Sequence, residues 1–392
     1  MTEVVTAVPD ASLAQPEPGQ GSLLNAISAD PKALVYFLVN VGDGDAQVLL
    51  LPPDSNDQQR RLVVVDVAVA KKVPQLISAL AAQNLVDLSP DNSLLRLVVA
   101  THPHYDHIGG MADFLTTFNQ RGRIDEFWEP GYFFPTPPFH NLMAALEDSP
   151  WIRRLQPTSG TSLILDQVRL TVLGPGIGLR NRFDTYGVEI NDSSITLMVE
   201  YPAAHVFAAP SAGGQLRRAA HGATRRLLLG GDAQFTSWAQ TTVDFPDLQQ
   251  TQNLTLVKEL RTALGTDYLK ADLVKIAHHG SKHGVNIELL ERVAAPVALV
   301  SSVAGGGKYG FPHLLAMEAA REARQPTTTK NTPRETDQVL GIHVTGSKLD
   351  TGAAAGSIAV VVPSGPRAPL KLFRFGDSPA KPVDLTQARR VL

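Results

Sequence analysis

The chain has 392 residues, more than the roughly 250–300 at which one hydrophobic core stops growing, so we expect two domains or one large layered domain. Hydrophobic residues make up 43% and charged residues 19%, which indicates a globular chain and excludes a small stapled scaffold. The formal charge of -3 provides no general attraction for nucleic acid, so a partner of that kind would need a local basic patch.

Cellular location and metal chemistry are limited by what the sequence lacks. No run of about 18 uninterrupted apolar residues is present and the first residues show no secretory signal, so we expect a cytoplasmic protein without a membrane span. The chain contains no cysteine, which excludes disulfides, thiolate nucleophiles and sulfur ligands. Any metal ion must therefore be held by nitrogen and oxygen atoms.

The ends of the chain differ in composition from its middle. Residues 1–33 are rich in Ala, Pro, Gly, Ser and Gln, and this composition predicts a flexible tail. One folded domain is predicted from residue 34 to 377, followed by a peripheral tail over 378–392. Two long connections, at about 202–226 and 325–355, are predicted to be surface insertions.

Within the domain, short apolar runs separated by Gly, Asp and Pro predict strands, beginning with LVYFLVNV, QVLLLP and RLVVVDVAV. KVPQLISALAAQNL has apolar residues at helical spacing, and further helical patterns lie at about 250–264 and 313–324. Later strands are predicted at LLRLVVATH, VRLTVLGP, SITLMVEY, RRLLLGG, ADLVKIAHHG, PVALVSS, SIAVVVPS and LKLFRFG. Because strands first follow one another and then alternate with helices, we expect a mixed α/β fold in which helices cover the sheet faces.

The segment VVATHPHYDHIGGM carries the strongest chemical signal. It places His102, His104, Asp106 and His107 directly after an apolar strand and before a Gly-Gly turn. Alternate residues of an extended segment project the same way, so His102 and His104 can bind one cation. The following turn can direct Asp106 and His107 to a second cation. Two such cations bridged by hydroxide would supply a nucleophile at neutral pH.

Two later strand ends carry side chains that can complete this site. RRLLLGGDAQF places Asp232 where a carboxylate can bridge two cations, and ADLVKIAHHGSKHG ends a strand with His278 and His279. One histidine of this pair is expected to be a ligand and the other a rim or supporting group. We favour His279, the one that precedes Gly280, as the ligand.

The segments VNVGDGDA, VVVDVAV, THPHYDHIGG, INDSSITLMV, LLLGGDA, VKIAHHGSKHG and KYGFPH occur in this order along the chain. Together they resemble the metallo-β-lactamase-fold hydrolases, and most of all the branch related to the nuclease domain of bacterial competence (DNA-uptake) channels. The resemblance spans about residues 34–375. It implies an αββα sandwich, made of two facing mixed sheets with outer helices, and two divalent metal ions, zinc or manganese, at one edge.

The resemblance also implies roles for individual residues. The implied metal ligands are His102, His104, Asp106, His107, Asp232 and His279, with Asp232 bridging the two ions. Asp66, at the end of VVVD, matches an aspartate that lies beneath the site and supports the ligands through hydrogen bonds, although a strand-end aspartate in a turn would look the same.

Two positions depart from the family pattern. Many of these hydrolases have a further histidine before the strand SITLMV, where this chain has Asn191 and Asp192. Either residue would add an oxygen ligand, favouring manganese alongside zinc, or would cap the turn into the strand. Phe311 stands where the family often has histidine. His313 in the same segment would contact or protonate a leaving oxygen, or would begin a helix.

Other polar and aromatic residues near these motifs are weaker candidates. Ser281 and Lys282, beside the His-His pair, are candidate substrate contacts. Lys275 and Lys282 flank that pair, so one of them would face a phosphate, although a charged strand edge is the favoured interpretation of both. The loop FWEPGYFFPTPPFH concentrates aromatic residues, and it is predicted either to pack onto the sandwich or to stack on bases.

These features predict a dinuclear metal-dependent hydrolase, and the resemblance favours a phosphodiesterase or nuclease acting on DNA, RNA or a nucleotide. Asp106 and Asp232 are expected to orient the hydroxide and the second metal. Hydrolysis of a lactam, lactone or thioester is the first alternative among enzymes, since the same hydroxide attacks either centre. An iron-loaded oxidoreductase on the same fold is a less favoured alternative. The alternative outside enzymes is a non-catalytic module that binds nucleic acid or a nucleotide with a partial metal site.

Overall fold

A computed structural model describes residues 22–89, 92–180, 189–203, 224–244, 268–304, 307–326, 334–347, 355–365 and 368–392. Within these residues the chain forms two β-sheets that pack face to face, with helices on both outer faces. The predicted αββα sandwich is confirmed.

The first sheet holds nine of the strands found among the described residues. They are β1 (Leu34–Leu38), β2 (Ala46–Leu50), β3 (Leu62–Val67), β4 (Leu95–Val99), β5 (Glu126–Trp128), β6 (Arg153–Leu155), β14 (Ile358–Val362), β15 (Lys371–Arg374) and β16 (Arg389–Arg390), in the spatial order β16-β15-β14-β1-β2-β3-β4-β5-β6. Strands β3 to β6 run parallel to one another. The loops that follow β3 and β4 therefore meet at one edge of the sheet.

The second sheet holds the other seven strands of the described part of the chain. They are β7 (Ser162–Leu165), β8 (Val168–Gly174), β9 (Thr196–Tyr201), β10 (Arg225–Leu229), β11 (Leu273–Lys275), β12 (Val297–Val300) and β13 (Ile342–Val344). They lie in the order β13-β12-β11-β10-β9-β8-β7, and β10 to β13 run parallel. The loops that follow β10, β11 and β12 share an edge in the same way.

Helices cover the outer faces of both sheets. The described helices are α1 (Leu23–Ala29), α2 (Lys72–Ala82), α3 (Tyr105–Ile108), α4 (Met111–Thr117), α5 (Pro137–Glu147), α6 (Ile177–Arg180), α7 (Phe235–Asp244), α8 (Ile287–Val293) and α9 (Leu314–Glu322). Helices α1 to α5 pack on the first sheet, and α7 to α9 pack on the second. None of the described helices is long and apolar enough to cross a membrane.

Alternation of side chains along the strands creates three apolar layers. In β1, Leu34, Tyr36 and Leu38 point into the space between the sheets, whereas Val35 and Phe37 pack under the helices. Each large side chain that is fully buried in this way stabilises the fold by roughly 1.5–3 kcal/mol. Because both faces of such a strand are covered, its sequence is a nearly continuous apolar run. This explains why the runs could be recognised as strands.

The ends of the chain differ from the predicted tails. Helix α1 lies within the predicted N-terminal tail, yet it buries Leu23 and Ile27, and the Ser22 side chain caps it by accepting from Asn25 N at 3.2 Å. Its apolar residues recur at helical spacing, a signal that the average composition of the tail conceals. Residues 1–21 lie outside the described residues.

The C-terminal segment also packs onto the domain. Strand β16 pairs with β15, and both Val383 and Leu385 are buried, so residues 378–392 are not merely peripheral. The buried Lys72 ammonium lies 2.7 Å from Asp377 Oδ2 and fixes the start of this segment to α2.

The predicted insertions are only partly described. Residues 204–223 and the helix predicted at 250–264 lie outside the described residues. The second predicted insertion, 325–355, contains β13, which pairs in parallel with β12 and buries all three of its residues. This part of the prediction is wrong because a three-residue edge strand is too short to stand out from its polar flanks.

Gly110, at the start of α4, is predicted to be essential for local packing. An added Cβ would lie 2.3 Å from Ala70 N and 2.5 Å from the Val69 carbonyl carbon, both backbone atoms. We expect Gly110→Ala to lower the free energy of unfolding by about 1–3 kcal/mol through overpacking. Gly365→Ala, where an added Cβ meets nothing within 4 Å, is the control. Equal urea midpoints for the two variants would contradict this account.

Candidate metal centre

The predicted site residues meet where the parallel strands of both sheets end. Asp66 lies in β3 and His102 follows β4 in the first sheet, while Asp232 follows β10 and His279 follows β11 in the second. A hydrogen bond from Ile195 N to Thr101 O (2.9 Å) joins the two sheets beside these residues. Side chains that are far apart in the sequence are thereby brought to one edge of the sandwich.

Local backbone geometry directs the first motif. His104 is extended (φ -73°, ψ 150°) and precedes the single turn of α3, which carries Asp106 and His107. The turn is held against the connection between β1 and β2 by a hydrogen bond from Asp45 N to Asp106 O (2.9 Å). The chain therefore presents two histidines before the turn and one aspartate and one histidine within it.

One half of the cluster contains Asp106, His107 and His279. His279 Nε2 lies 3.3 Å from His107 Nε2 and 3.5 Å from Asp106 Oδ2. Asp232 Oδ1 lies 3.2 Å from His107 Nε2 and 3.7 Å from His279 Nε2. One ligand atom from each of these four residues falls within 4.8 Å of the others, a spacing at which a single cation can contact them all.

The other half contains His102, His104 and His278. His102 Nε2 lies 3.0 Å from His104 Nδ1, and both His102 Nε2 and His278 Nε2 lie 3.7 Å from Asp232 Oδ2. The two oxygens of Asp232 thus face two different groups of histidines. Although His279 was favoured over His278 from the sequence, the structure places both beside Asp232.

Burial keeps three of the histidines neutral. It lowers the pKa of His102 well below its usual value, and it also lowers the pKa of His104 and of His278. Neutral imidazole is the form that binds a metal ion.

The carboxylates of the cluster are held in their ionised form. Burial by itself would raise the pKa of Asp232, but His107 and His279 hold that pKa well below its usual value. The pKa of Asp106 is lowered in the same way, against the effect of burial, chiefly by its hydrogen bond with His279. For His107, burial opposes a rise in pKa that the adjacent Asp232 carboxylate brings about.

Several buried polar atoms in the cluster have no hydrogen-bond partner. They are Asp232 Oδ1, Asn191 Oδ1 and His278 Nδ1. Leaving such a group unpaired costs about 1–3 kcal/mol, and more when the group is charged. A cation beside Asp232 Oδ1 would remove that cost. The set of imidazole nitrogens and carboxylate oxygens fits divalent ions such as zinc and manganese.

Hydrogen bonds behind the cluster orient its histidines. Asp66, with a left-handed backbone (φ 60°), accepts from Thr101 N (2.8 Å), Thr101 Oγ1 (2.7 Å) and His107 Nδ1 (2.8 Å). His279 Nδ1 donates to Ser301 O at 3.0 Å. Both rings therefore direct Nε2 toward Asp232, as in metal sites where a carboxylate or carbonyl fixes the tautomer of a histidine.

A buried ion pair beneath the cluster was missed by sequence reasoning. The Lys275 ammonium is completely buried and donates to Asp45 Oδ2 and, at 3.3 Å, to Gly231 O. Asp45 Oδ1 lies 3.8 Å from His279 Nδ1, so the pair lies directly behind a site histidine. The interpretation of Lys275 as a charged strand edge is wrong. A lysine inside the apolar run of a strand with strands on both sides was the available signal.

Asn191 and Asp192, at the position where many related hydrolases have a histidine, have different surroundings. Asn191 is buried beside His104 and contacts its ring, so it borders the first half of the cluster. Asp192 Oδ1 instead accepts from Ser237 N at 3.0 Å, near the start of α7. Asp192 therefore contacts the first turn of α7, which is neither the metal ligation nor the capping of the turn into β9 that the sequence suggested.

The remaining candidates lie outside the four-residue group. His313 begins α9, where its Nδ1 accepts from Leu315 N at 3.2 Å, the contact of a helix cap. Ser281 is buried, and its Oγ accepts from His283 N at 3.3 Å. Lys282 is exposed and lines an open groove bordered by α7, α8 and α9. None of the three has a described contact to the ligand-type side chains of the cluster.

Comparison with models of known protein families finds one match, in the part of the chain that contains the first motif. Residues 58–168, which include the first motif, match the family model for the metallo-beta-lactamase superfamily. The match covers less than half of the chain and lies in its first half. No curated protein is significantly similar to the chain.

Solved structures of proteins named as metallo-beta-lactamases, or as having that fold, are only distantly similar to this chain. The metallo-beta-lactamase fold protein YhfI from Bacillus subtilis is 9% identical, with 74% of this chain and 93% of that chain covered and a TM-score of 0.38. A metallo-beta-lactamase from Cronobacter sakazakii is 15% identical, with 75% and 92% covered and a TM-score of 0.31. A putative metallo-beta-lactamase from Thermotoga maritima is also 15% identical, with 62% and 95% covered and a TM-score of 0.29.

The buried ion pair is predicted to be necessary for stability. Lys275→Met leaves the Asp45 carboxylate buried without its cation, and we expect the free energy of unfolding to fall by about 3–5 kcal/mol. The double variant with Asp45→Asn should recover part of this loss. Lys282→Met, at an exposed lysine, is the control and should change stability by less than about 0.5 kcal/mol. Urea denaturation of metal-free protein measures all of these. A small effect for Lys275→Met would show that the pair is dispensable.

Proposed function

We propose that this protein hydrolyses phosphodiester bonds with two divalent cations held by the His/Asp cluster. The observation that carries the proposal is the position of Asp232, a buried carboxylate whose two oxygens face two separate groups of histidines. A carboxylate in that position is suited to bridge two ions and to offset part of their charge.

The ligands divide into two groups that share Asp232. We propose that the first ion is held by His102, His104, His278 and Asp232, and the second by Asp106, His107, His279 and Asp232. In this arrangement His278 supplies the nitrogen that the first ion lacks at Asn191. Its Nε2 lies as close to Asp232 Oδ2 as that of His102, at 3.7 Å.

The protein residues hold, orient and shield the reacting groups. When bound, the two cations lower the pKa of a water molecule and stabilise the charge that develops on the phosphorus oxygens. Asp106, whose side chain is 27% exposed, is the carboxylate of the cluster that is open to solvent, and we propose that it orients the attacking water. Asp66 keeps the His107 ring in place during the reaction.

The choice of a phosphodiester rests on the order of sequence motifs that resembles the nuclease domain of competence channels. Carbonyl hydrolysis uses the same cluster, and a non-catalytic binding module would retain ligand binding without turnover. Direct assays separate these three. Protein loaded with manganese or zinc should cleave bis-p-nitrophenyl phosphate and oligonucleotides, and it should leave lactam and lactone substrates intact. Cleavage of the carbonyl substrates alone would overturn the proposal, as would oligonucleotide binding without any hydrolysis.

Metal content provides an independent prediction. Metal-depleted protein that is reloaded and desalted should contain two ions per chain, as measured by plasma mass spectrometry. His104→Ala should retain one ion because its contacts are with the first group only, whereas Asp232→Asn should weaken both sites. His140→Ala, at an exposed histidine in α5, is the matched control and should retain two. Two ions in every variant would contradict the ligand assignment.

Substitution of Asp66 tests whether its hydrogen bond to His107 supports metal binding. Asp66→Asn removes the charged acceptor of His107 Nδ1–H while nearly preserving the volume of the side chain. We expect metal affinity or kcat/KM on bis-p-nitrophenyl phosphate to fall by about 10–100-fold, the usual effect of removing such a partner. Asp113→Asn, at an exposed aspartate in α4, should leave both quantities unchanged. If the two variants behaved alike, Asp66 would have no part in positioning His107.

A further inference from the structure

Aromatic side chains border the metal centre on both sides. The ring of Phe134, in the segment after β5 of the first sheet, lies 5.2 Å from that of His104 at an interplanar angle of 66°. The ring of Phe311, in the segment after β12 of the second sheet, lies 5.4 Å from that of His278 and 5.9 Å from that of His279. Each sheet therefore contributes one aromatic wall beside histidines of the cluster, Phe134 from the first sheet and Phe311 from the second.

The wall on the second sheet continues outward into solvent. The rings of Tyr309 and Phe311 lie 5.9 Å apart at 27°, and those of Phe311 and His279 lie 5.9 Å apart at 28°, so each ring stacks on the next from His279 to Tyr309. A turn closed by Gly310 N donating to Gly307 O (3.0 Å) separates Tyr309 from Phe311. These spacings are typical of offset-stacked aromatic rings.

These rings are not part of the hydrophobic core. Tyr309 is 54% exposed and Phe311 is partly exposed, and neither belongs to the three apolar layers of the sandwich. In the aromatic segment that follows β5, by contrast, Tyr132 in the loop and Phe139 in α5 are buried. Packing against the core thus explains the aromatic residues Tyr132 and Phe139. It does not explain the exposed ring of Tyr309, which lies in the segment after β12.

A cation lies beside the outermost ring. Lys308 is exposed, and its Nζ lies 4.9 Å from the centroid of the Tyr309 ring. The pKa of Lys308 is raised, first by its hydrogen bond with Tyr309 and also by the Asp106 carboxylate. The ammonium therefore lies over the outermost ring, where it can meet an anionic group of the substrate.

We propose that Tyr309, which stacks on Phe311 at the outer end of this series, forms a stacking surface for a nucleobase of single-stranded nucleic acid, and that Lys308 contacts the adjoining phosphate. This rests on the proposed phosphodiesterase function. Flat rings stack on the faces of bases whatever their sequence, and a nearby cation follows the backbone. In a duplex the base faces are covered by neighbouring base pairs, so only an unpaired strand can use this surface.

The wall on the first sheet fits the same substrate. A phosphodiester has one nucleoside on each side of the bond that is cleaved. With the phosphate at the cluster, one base lies toward Phe311 and Tyr309 and the other toward Phe134. The specificity of the site therefore comes from unpaired bases on both sides of the cleaved phosphate, without hydrogen bonds that read base identity.

Binding of strands with and without bases tests the proposal. Full-length, metal-loaded protein is titrated against a labelled twelve-nucleotide phosphorothioate oligothymidine, which resists hydrolysis, and against an abasic phosphorothioate strand of equal length. Stacking is expected to make the thymidine strand bind about ten- to hundred-fold tighter, as measured by fluorescence anisotropy. Tyr309→Leu should remove most of this difference while leaving binding of the abasic strand unchanged.

Two further variants control for general effects. Trp151→Leu removes a partly exposed ring that precedes β6, at the edge of the sheet opposite the cluster, and it should bind both strands as the unmodified protein does. Lys308→Gln should weaken the binding of both strands and should reduce the slope of log affinity against log salt by about 1, the loss of one phosphate contact.

The possible outcomes distinguish the base-stacking surface from the phosphodiesterase activity. Equal affinity for thymidine and abasic strands, or tighter binding of a duplex of the same sequence, would overturn the stacking surface even if bis-p-nitrophenyl phosphate is hydrolysed. Base-dependent binding that Tyr309→Leu abolishes, without any hydrolysis, would support the surface and refute the phosphodiesterase. A rise in KM for a cleavable oligonucleotide in Tyr309→Leu, with metal content unchanged, supports both.

Discussion

The arrangement of the site depends on buried negative charge where the two sheets meet. Asp45, Asp66 and Asp232 are almost completely removed from solvent, and transferring each carboxylate from water costs several kcal/mol. The protein offsets this cost with the Lys275 ammonium, with hydrogen bonds from Thr101 and with the surrounding imidazoles. Because Asp232 retains an oxygen without a hydrogen-bond donor, the compensation is incomplete in the protein alone. A cation beside that oxygen would complete it, which ties metal binding to the stability of the same edge.

Much of the fold and part of the site could be predicted from the sequence because their causes are local. Strands buried on both faces are apolar runs, so β1 to β4 can be predicted directly from the amino-acid sequence. His102, His104, Asp106 and His107 lie within six consecutive positions, so one short segment determines their grouping. Asp232 and His279 required the further idea that carboxyl ends of parallel strands meet at one edge, and the resemblance to a known family supplied their partners.

Other features depend on tertiary structure and left little trace in the sequence. The direction of the His278 side chain follows from left-handed backbone at both His278 (φ 51°) and His279 (φ 53°), a conformation that histidine rarely adopts and that residue preferences do not predict. Lys275 finds Asp45 across 230 residues of sequence. Short elements such as α1 and β13 are stabilised by the surfaces they cover, so composition alone suggested a tail and an insertion at those places.

The pairing of β1 with β14 affects folding of the chain during its synthesis. Leu34 lies opposite Val362, so the partner of a central strand emerges from the ribosome after most of the chain. Until then β1 exposes an unsatisfied backbone edge, which invites pairing with other nascent chains. Contacts so distant in sequence also slow folding. The edge of β1 is therefore closed only when the last part of the domain, including β14, has been synthesised.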